Sequence, residues 1–187
     1  RVCEEAYAAL AAWNGDRRPG QELSIWINLS VRQLAEEDVG ERLLAMAAAH
    51  GVDPAAVTVE VTETGLMRSS EAADRLAAHG FRLAIDDFGT GYASLAFLRL
   101  LAVDVLKVDR SFVAGLGQHP TDSAIVETVV TLGRSLEIDV LAEGIESEYQ
   151  LRRLGELGYR LGQGYLFGRP APGAEVPELL ASSRPGA

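Results

Sequence analysis

What this chain has little of narrows its chemistry first. Cys3 is the one cysteine among 187 residues. No intramolecular disulfide can form, which fits a reducing compartment, and the expected location is cytoplasmic, with room for a membrane tether upstream. Aromatic residues make up 6% of the chain, so a core must rest on Leu, Val, Ile and Ala, the usual content of buried parallel strands. No apolar run approaches the roughly 20 residues of a membrane span. Positive charge is also short: 17 Lys and Arg stand against 27 Asp and Glu, a net charge of −10. A surface that tracks DNA or RNA needs clustered Lys and Arg, so neither is expected as a partner. One small phosphate-bearing ligand stays compatible with this balance, because bound cations can supply positive charge locally. Histidine is rare too, and His50, His79 and His119 fall at helix ends or in a loop, where solvation is the expected state.

What is present is aliphatic and repetitive. Apolar residues account for 48% of the chain, and the length suffices for one domain with a substantial core. The opening residues, Arg1-Val2-Cys3-Glu4-Glu5, do not resemble a signal peptide. Val2, Ala6, Ala9, Leu10 and Trp13 recur at helical spacing with no N-cap before them, so the chain is expected to begin inside a helix of a longer domain. Six segments have the composition of buried strands: Leu23–Asn28, Val57–Val61, Arg82–Asp87, Asp104–Asp109, Asp139–Glu143 and Arg160–Phe167. Helices separate them, a shorter one over Ser70–His79. Ser30-Val31-Arg32-Gln33 and Ser147-Glu148-Tyr149-Gln150 are capping boxes, and Gly51, Gly80 and Gly158 suit the left-handed position that ends a helix. Asp122–Leu136 is amphipathic, with Ile125, Val126, Val129, Val130 and Leu136 apolar. That stripe fits either packing on the sheet or a homodimer interface.

Alternating strands and helices imply parallel strands, in a doubly wound sheet or a barrel. The polar residues favour the barrel. Asn28, Glu60, Asp86-Asp87, Lys107 with Asp109, Glu143 and Gln163 lie at the ends of successive strands. An open sheet gathers ligands at one switch point, whereas a closed barrel points every strand end at a common axis. A single acidic residue at such a position is usually a helix cap or part of a surface loop. Glu60 and Asp86, however, sit among aliphatic neighbours, where an unpartnered carboxylate is costly. Adjacent Asp86 and Asp87 point to opposite faces of a strand and can reach one site only if the strand ends there. Forced together they raise each other's pKa unless a cation neutralises them. An oxygen-rich set without His or Cys suits Mg²⁺ or Mn²⁺ better than Zn²⁺. Gly89-Thr90-Gly91 allows either a tight turn or a phosphate cradle.

Together these segments resemble a known family. Asn28-Leu29-Ser30, Glu60-Val61-Thr62-Glu63, Asp86 through Tyr92, Lys107 through Phe112, Ala142 through Glu146, and Gln163-Gly164-Tyr165 stand in the order of the EAL domains, bacterial phosphodiesterases that open cyclic di-GMP to linear pGpG. The resemblance runs to about Pro172. It implies a variant TIM (β/α)8 barrel, incomplete here with about six of eight strands, and a two-ion Mg²⁺ or Mn²⁺ site. By motif position it implies metal ligands at Asn28, Glu60, Asp86, Asp87 and Glu143, with Glu143 also the candidate general base. Lys107 would hold the attacking water or the phosphate. Glu63 would anchor the loop from Asp87 to Tyr92, and Gln163 and Asp109 would contact substrate. An upstream sensor or GGDEF domain is an implied companion in the parent protein.

The Glu-Ala-Leu tripeptide that names the family, followed two positions later by arginine, does not occur. Glu5-Ala6-Tyr7 and Glu71-Ala72-Ala73 are helical and out of place. In the family that glutamate is a metal ligand and the arginine contacts phosphate. The chain is therefore expected to be one EAL-type domain over residues 1–187 lacking two N-terminal strands. It is expected to be a piece of a longer protein, with little turnover by itself. Two other functions fit less well. A receptor-type EAL domain that binds cyclic di-GMP without cutting it typically lacks ligand carboxylates, and none is lost here among those the chain covers. A different metal-dependent barrel hydrolase would fit the chemistry but not the ordered motifs.

Overall fold

The computed structural model describes all residues except 16, 19, 90–97, 99–100 and 183–187, with backbone alone at 181–182. Its framework is a parallel sheet of six strands: β1 (Ile25–Asn28), β2 (Val57–Thr62), β3 (Arg82–Phe88), β4 (Val105–Val108), β5 (Asp139–Ala142) and β6 (Leu161–Gly162). Each strand pairs with its neighbours in sequence, in the order β1-β2-β3-β4-β5-β6. A doubly wound sheet would reverse direction at a switch point. This one never reverses among the described strands, so the chain winds one way, as a (β/α) barrel does. The fold is an incomplete TIM-type barrel, as the strand ends implied.

The connections follow from local chemistry. Helix α1 (Val2–Asn14) precedes β1, and α2 (Val31–Leu34) and α3 (Val39–His50) lead to β2. The short α4 (Glu63–Arg68) and α5 (Ser70–Ala78) lead to β3. After β4 come α6 (Arg110–Ala114) and α7 (Pro120–Leu136); α8 (Glu148–Leu157) joins β5 to β6, and α9 (Val176–Ser182) follows. Both capping boxes form, Ser30 with Gln33 and Ser147 with Gln150. Gly51 and Gly158 take left-handed φ of 64° and 94° to end α3 and α8, where a side chain would be strained. Val126, Val129 and Val130 of α7 are buried, and Ile125 and Leu136 pack against the same core. The apolar stripe thus lies on the sheet. Among the described residues, no helix is long and apolar enough to cross a membrane.

Strand pleating sorts side chains onto two faces with a period of two. Ile27, Val59, Ile85, Leu106, Val108 and Ala142 face the helices and join the main core with Leu10, Leu43, Leu76, Val126 and Leu154. Ala84, Val105 and Leu141 form a separate small cluster with Trp26 and Leu161. These line the inner face of the barrel. Two residues beyond Trp26, Ala84, Val105, Leu141 and Leu161 stand Asn28, Asp86, Lys107, Glu143 and Gln163. The small apolar cluster is the layer on which the polar rim sits.

Several expected boundaries shift. β4 is confined to Val105–Val108 because Asp104 and Asp109 turn their carboxylates to backbone amides, Leu83 N at 2.8 Å and Ser111 N at 3.0 Å. The expected strand Arg160–Phe167 shrinks to Leu161–Gly162, since Phe167 N bonds to Gly164 O at 3.1 Å and closes a turn. β1 starts at Ile25 rather than Leu23, and β5 ends at Ala142 rather than Glu143.

The buried Tyr159 hydroxyl donates to Val126 O at 2.7 Å, tying the start of the last strand connection to α7. Burial raises this phenol above its usual pKa. Its neutral form therefore contributes stability that is fully present below the unfolded pKa of about 10 and is lost as pH rises beyond it. Tyr159→Phe is expected to cost about 1 kcal/mol near pH 7. In urea melts that cost should shrink above pH ~10, where the wild type alone is penalised. A gap unchanged with pH would rule this account out.

Candidate active site

The rim of the barrel brings three carboxylates to one ammonium, with Asp87 beside them. Asn28 on β1 stands opposite Glu60 on β2 in register, and its Nδ2 donates to Glu60 Oε2 at 2.7 Å. Glu60 reaches the centre with its other oxygen, 2.8 Å from Lys107 Nζ. Asp86 Oδ1 lies 2.7 Å and Glu143 Oε1 2.6 Å from the same nitrogen. The Lys107 side chain is only 4% exposed. Glu143 stands one residue beyond β5, held by its amide on Val108 O at 3.1 Å.

Asp87 arrives by a device that the sequence pattern did not foresee. The strand does not end at Asp87; it continues to Phe88. Pairing runs from Ile85–Leu106 to Phe88–Val108, so β3 spends three steps where β4 spends two. One extra residue is a β-bulge. Ile85 and Phe88 both join the helix-facing core, a parity possible only with that insertion. Asp87 absorbs it with a left-handed φ of 53°, which Asp tolerates better than branched or bulky residues. Both adjacent carboxylates consequently reach the same part of the rim. Oxygens of Asp86, Asp87 and Glu143 lie within 4.8 Å of one another, close enough to hold a metal ion.

The electrostatics of the cluster follow from its crowding. Burial alone would lower the Lys107 ammonium, but hydrogen bonds to Asp86, Glu143 and Glu60 outweigh it and hold the group above its ordinary pKa. Burial raises Glu143, and its bond to Lys107 only partly offsets that, while Asp86 and Glu60 push further upward. Asp87 is raised by burial and by the neighbouring Asp86 and Asp109 charges. With all groups ionised, Glu60, Asp86, Asp87 and Glu143 carry four negative charges against one positive at Lys107. The donor set is carboxylate and amide oxygen, and no histidine joins it among the described residues. A centre with excess negative charge and hard oxygen donors fits hard divalent cations.

The other expected site residues are placed less centrally. Gln163 follows β6 on the inner face and is exposed; its backbone joins Ala142 O at 2.9 Å and Ile145 N at 3.0 Å. Asp109 caps α6, its Oδ1 accepting from the Ser111 amide and hydroxyl, and these bonds hold its carboxyl low despite burial. Glu63 is buried as the first residue of α4, one position after Thr62, which pairs with Asp86 in register. Of the loop it was expected to anchor, and of the Gly89-Thr90-Gly91 turn, residues from Thr90 onward lie outside the described residues. Sequence reasoning overlooked Trp26 and the buried Thr58, which sit two residues before Asn28 and Glu60. The period-two pattern that located those polar residues was the signal for both.

Comparison with known proteins accords with this geometry. The chain matches the family model of the EAL domain over residues 1–170. It is 40% identical over 97% of its length to the bifunctional diguanylate cyclase/cyclic di-GMP phosphodiesterase MucR of Pseudomonas aeruginosa, of which it covers 26%. It spans about a quarter of the length of the first curated relatives it matches. Among solved structures it resembles the PaMucR phosphodiesterase in complex with c-di-GMP, with TM-score 0.88 and 36% identity over 94% of this chain and 72% of that one. It also resembles a manganese/cy-diGMP complex of Klebsiella pneumoniae BlrP1, with TM-score 0.77 and 35% identity over 91% of this chain and 44% of that one.

Proposed function

The chain belongs to the EAL domain family, and from that premise we propose that the protein carrying it hydrolyses cyclic di-GMP to linear pGpG with two Mg²⁺ or Mn²⁺ ions, lowering this second messenger. The observation that carries the reading is the rim cluster, in which three carboxylates meet Lys107 within 2.8 Å and Asp87 stands beside them. A manganese/cy-diGMP complex of a similar protein supports the choice of substrate and ion.

On this reading Asn28, Glu60, Asp86, Asp87 and Glu143 hold the ions. When bound, the ions would lower the pKa of water and stabilise charge on phosphoryl oxygens. Glu143 takes the proton from the attacking water as the water oxygen bonds to phosphorus and one phosphorus–oxygen ester bond of the ring breaks, and the departing ribose oxygen takes a proton from solvent to become the free hydroxyl of pGpG. Lys107 contacts the phosphate or that water. Gln163 and Asp109 contact the substrate, and Glu63 steadies the segment that follows β3. Because MucR pairs a cyclase with a phosphodiesterase, a GGDEF or sensor domain beside this chain is part of the proposal. So are a homodimer and a cytoplasmic setting, the latter supported by the lone Cys3.

The test is product analysis with the protein that carries this chain. Mn²⁺ should yield pGpG from cyclic di-GMP, and EDTA should abolish it. Tight binding of cyclic di-GMP with no pGpG would replace the enzyme by a receptor.

A further inference from the structure

Lys107 sits where three carboxylates converge. Its Nζ lies 2.8 Å from Glu60, 2.7 Å from Asp86 and 2.6 Å from Glu143, and it donates to Asp86. The partners come from β2, β3 and the end of β5, so the ammonium ties together three strand ends distant in sequence. Charge-assisted bonds of this length are strong, and a buried charge that loses its partner is costly. A cation that draws one of these carboxylates away therefore loosens the hold on the ammonium and frees it toward a phosphate or a water. The carboxylates in question are the same ones assigned to the cations.

We infer that Lys107 is an internal competitor of the divalent cations: a cation that takes Glu60, Asp86 or Glu143 releases a Lys107 N–H, and that released donor serves the phosphodiester. Lys107 is in this sense a positioning residue as well, keeping the carboxylates converged until a cation replaces it. No covalent bond changes; one positive partner is exchanged for another. The inference rests on the metal-centre reading above, and it adds a sign that the reading alone lacks. A residue that merely supports the site strengthens cation binding, whereas a competitor weakens it.

Lys107→Met removes the charge and keeps the chain length of the side chain. Calorimetric titration of the protein that carries this chain with Mn²⁺ should show the variant binding on the order of tenfold more tightly than the wild type, a coupling of ordinary size. Its melting temperature should fall without added divalent cation and be restored by Mn²⁺. A dissociation constant equal to or weaker than wild type overturns the competition and leaves the metal reading standing. Absence of Mn²⁺ binding by the wild type overturns both. Should the variant not fold, the unaltered chain labelled with ¹⁵N at lysine provides a second measurement. The Lys107 Nζ resonance should move as Mg²⁺ saturates the site, and a resonance that stays in place at saturation overturns the inference.

Discussion

With Glu143 replaced by glutamine, the protein carrying this chain should release pGpG from cyclic di-GMP about 10²–10⁴-fold more slowly, the usual contribution of a positioned general base. Glutamine keeps the volume and the hydrogen-bonding edge but cannot take a proton. Glu143 suits the role because burial raises its pKa while Lys107, 2.6 Å away, keeps the charged form accessible. A base must be ionised to act, so the wild-type rate should fall with decreasing pH as Glu143 takes up its proton. Initial rates of pGpG formation at saturating Mn²⁺ across the pH range measure both effects. Activity of the variant within about tenfold of wild type, below the usual general-base contribution, would remove Glu143 from the role of base. Retained Mn²⁺ binding separates a lost base from a lost ligand.

Gly164→Ala should destabilise the fold by about 3 kcal/mol, the upper range for atoms forced into a packed space. A Cβ on Gly164 would stand 2.1 Å from Ile145 O and 2.2 Å from Ile145 N. Both are backbone atoms, so no rotamer change can relieve the clash. The same backbone is engaged twice, Ile145 N to Gln163 O and Leu166 N to Ile145 O, each at 3.0 Å. Separating the two segments would break the turn that sets Gln163 beside the rim. A lowered urea midpoint with an unchanged slope is the expected result, and a midpoint equal to wild type would show that the close approach costs nothing. The glycine between Gln163 and Tyr165 is thus required by the meeting of two backbones.

Much of the frame was legible because it is written locally. Ser30 and Gln33, and Ser147 and Gln150, act within one helical turn, and both boxes formed as expected. Gly51 and Gly158 likewise respond to the residues just before them. The β2 segment, apolar at Val57, Val59 and Val61, announced a buried strand. Asp109 shows the limit of such reasoning. Its place at a strand end fits a helix cap, and its bonds to Ser111 form one, while the substrate contact implied by the resemblance stays part of the proposal.

The sequence by itself determined the alternation of strand and helix, the caps that bound the helices, and the polar residue type at each strand end. These depend on neighbours within a few positions. Only the tertiary structure decided that β3 bulges so that Asp86 and Asp87 come together, that Lys107 pairs with three carboxylates, and that Gly164 must lack a side chain. Asn28 meets Glu60 across 32 positions, and Lys107 meets Asp86 across 21. Register between strands, and the loss of solvent around a charge, depend on which distant segments pack together, and no local pattern carries that information.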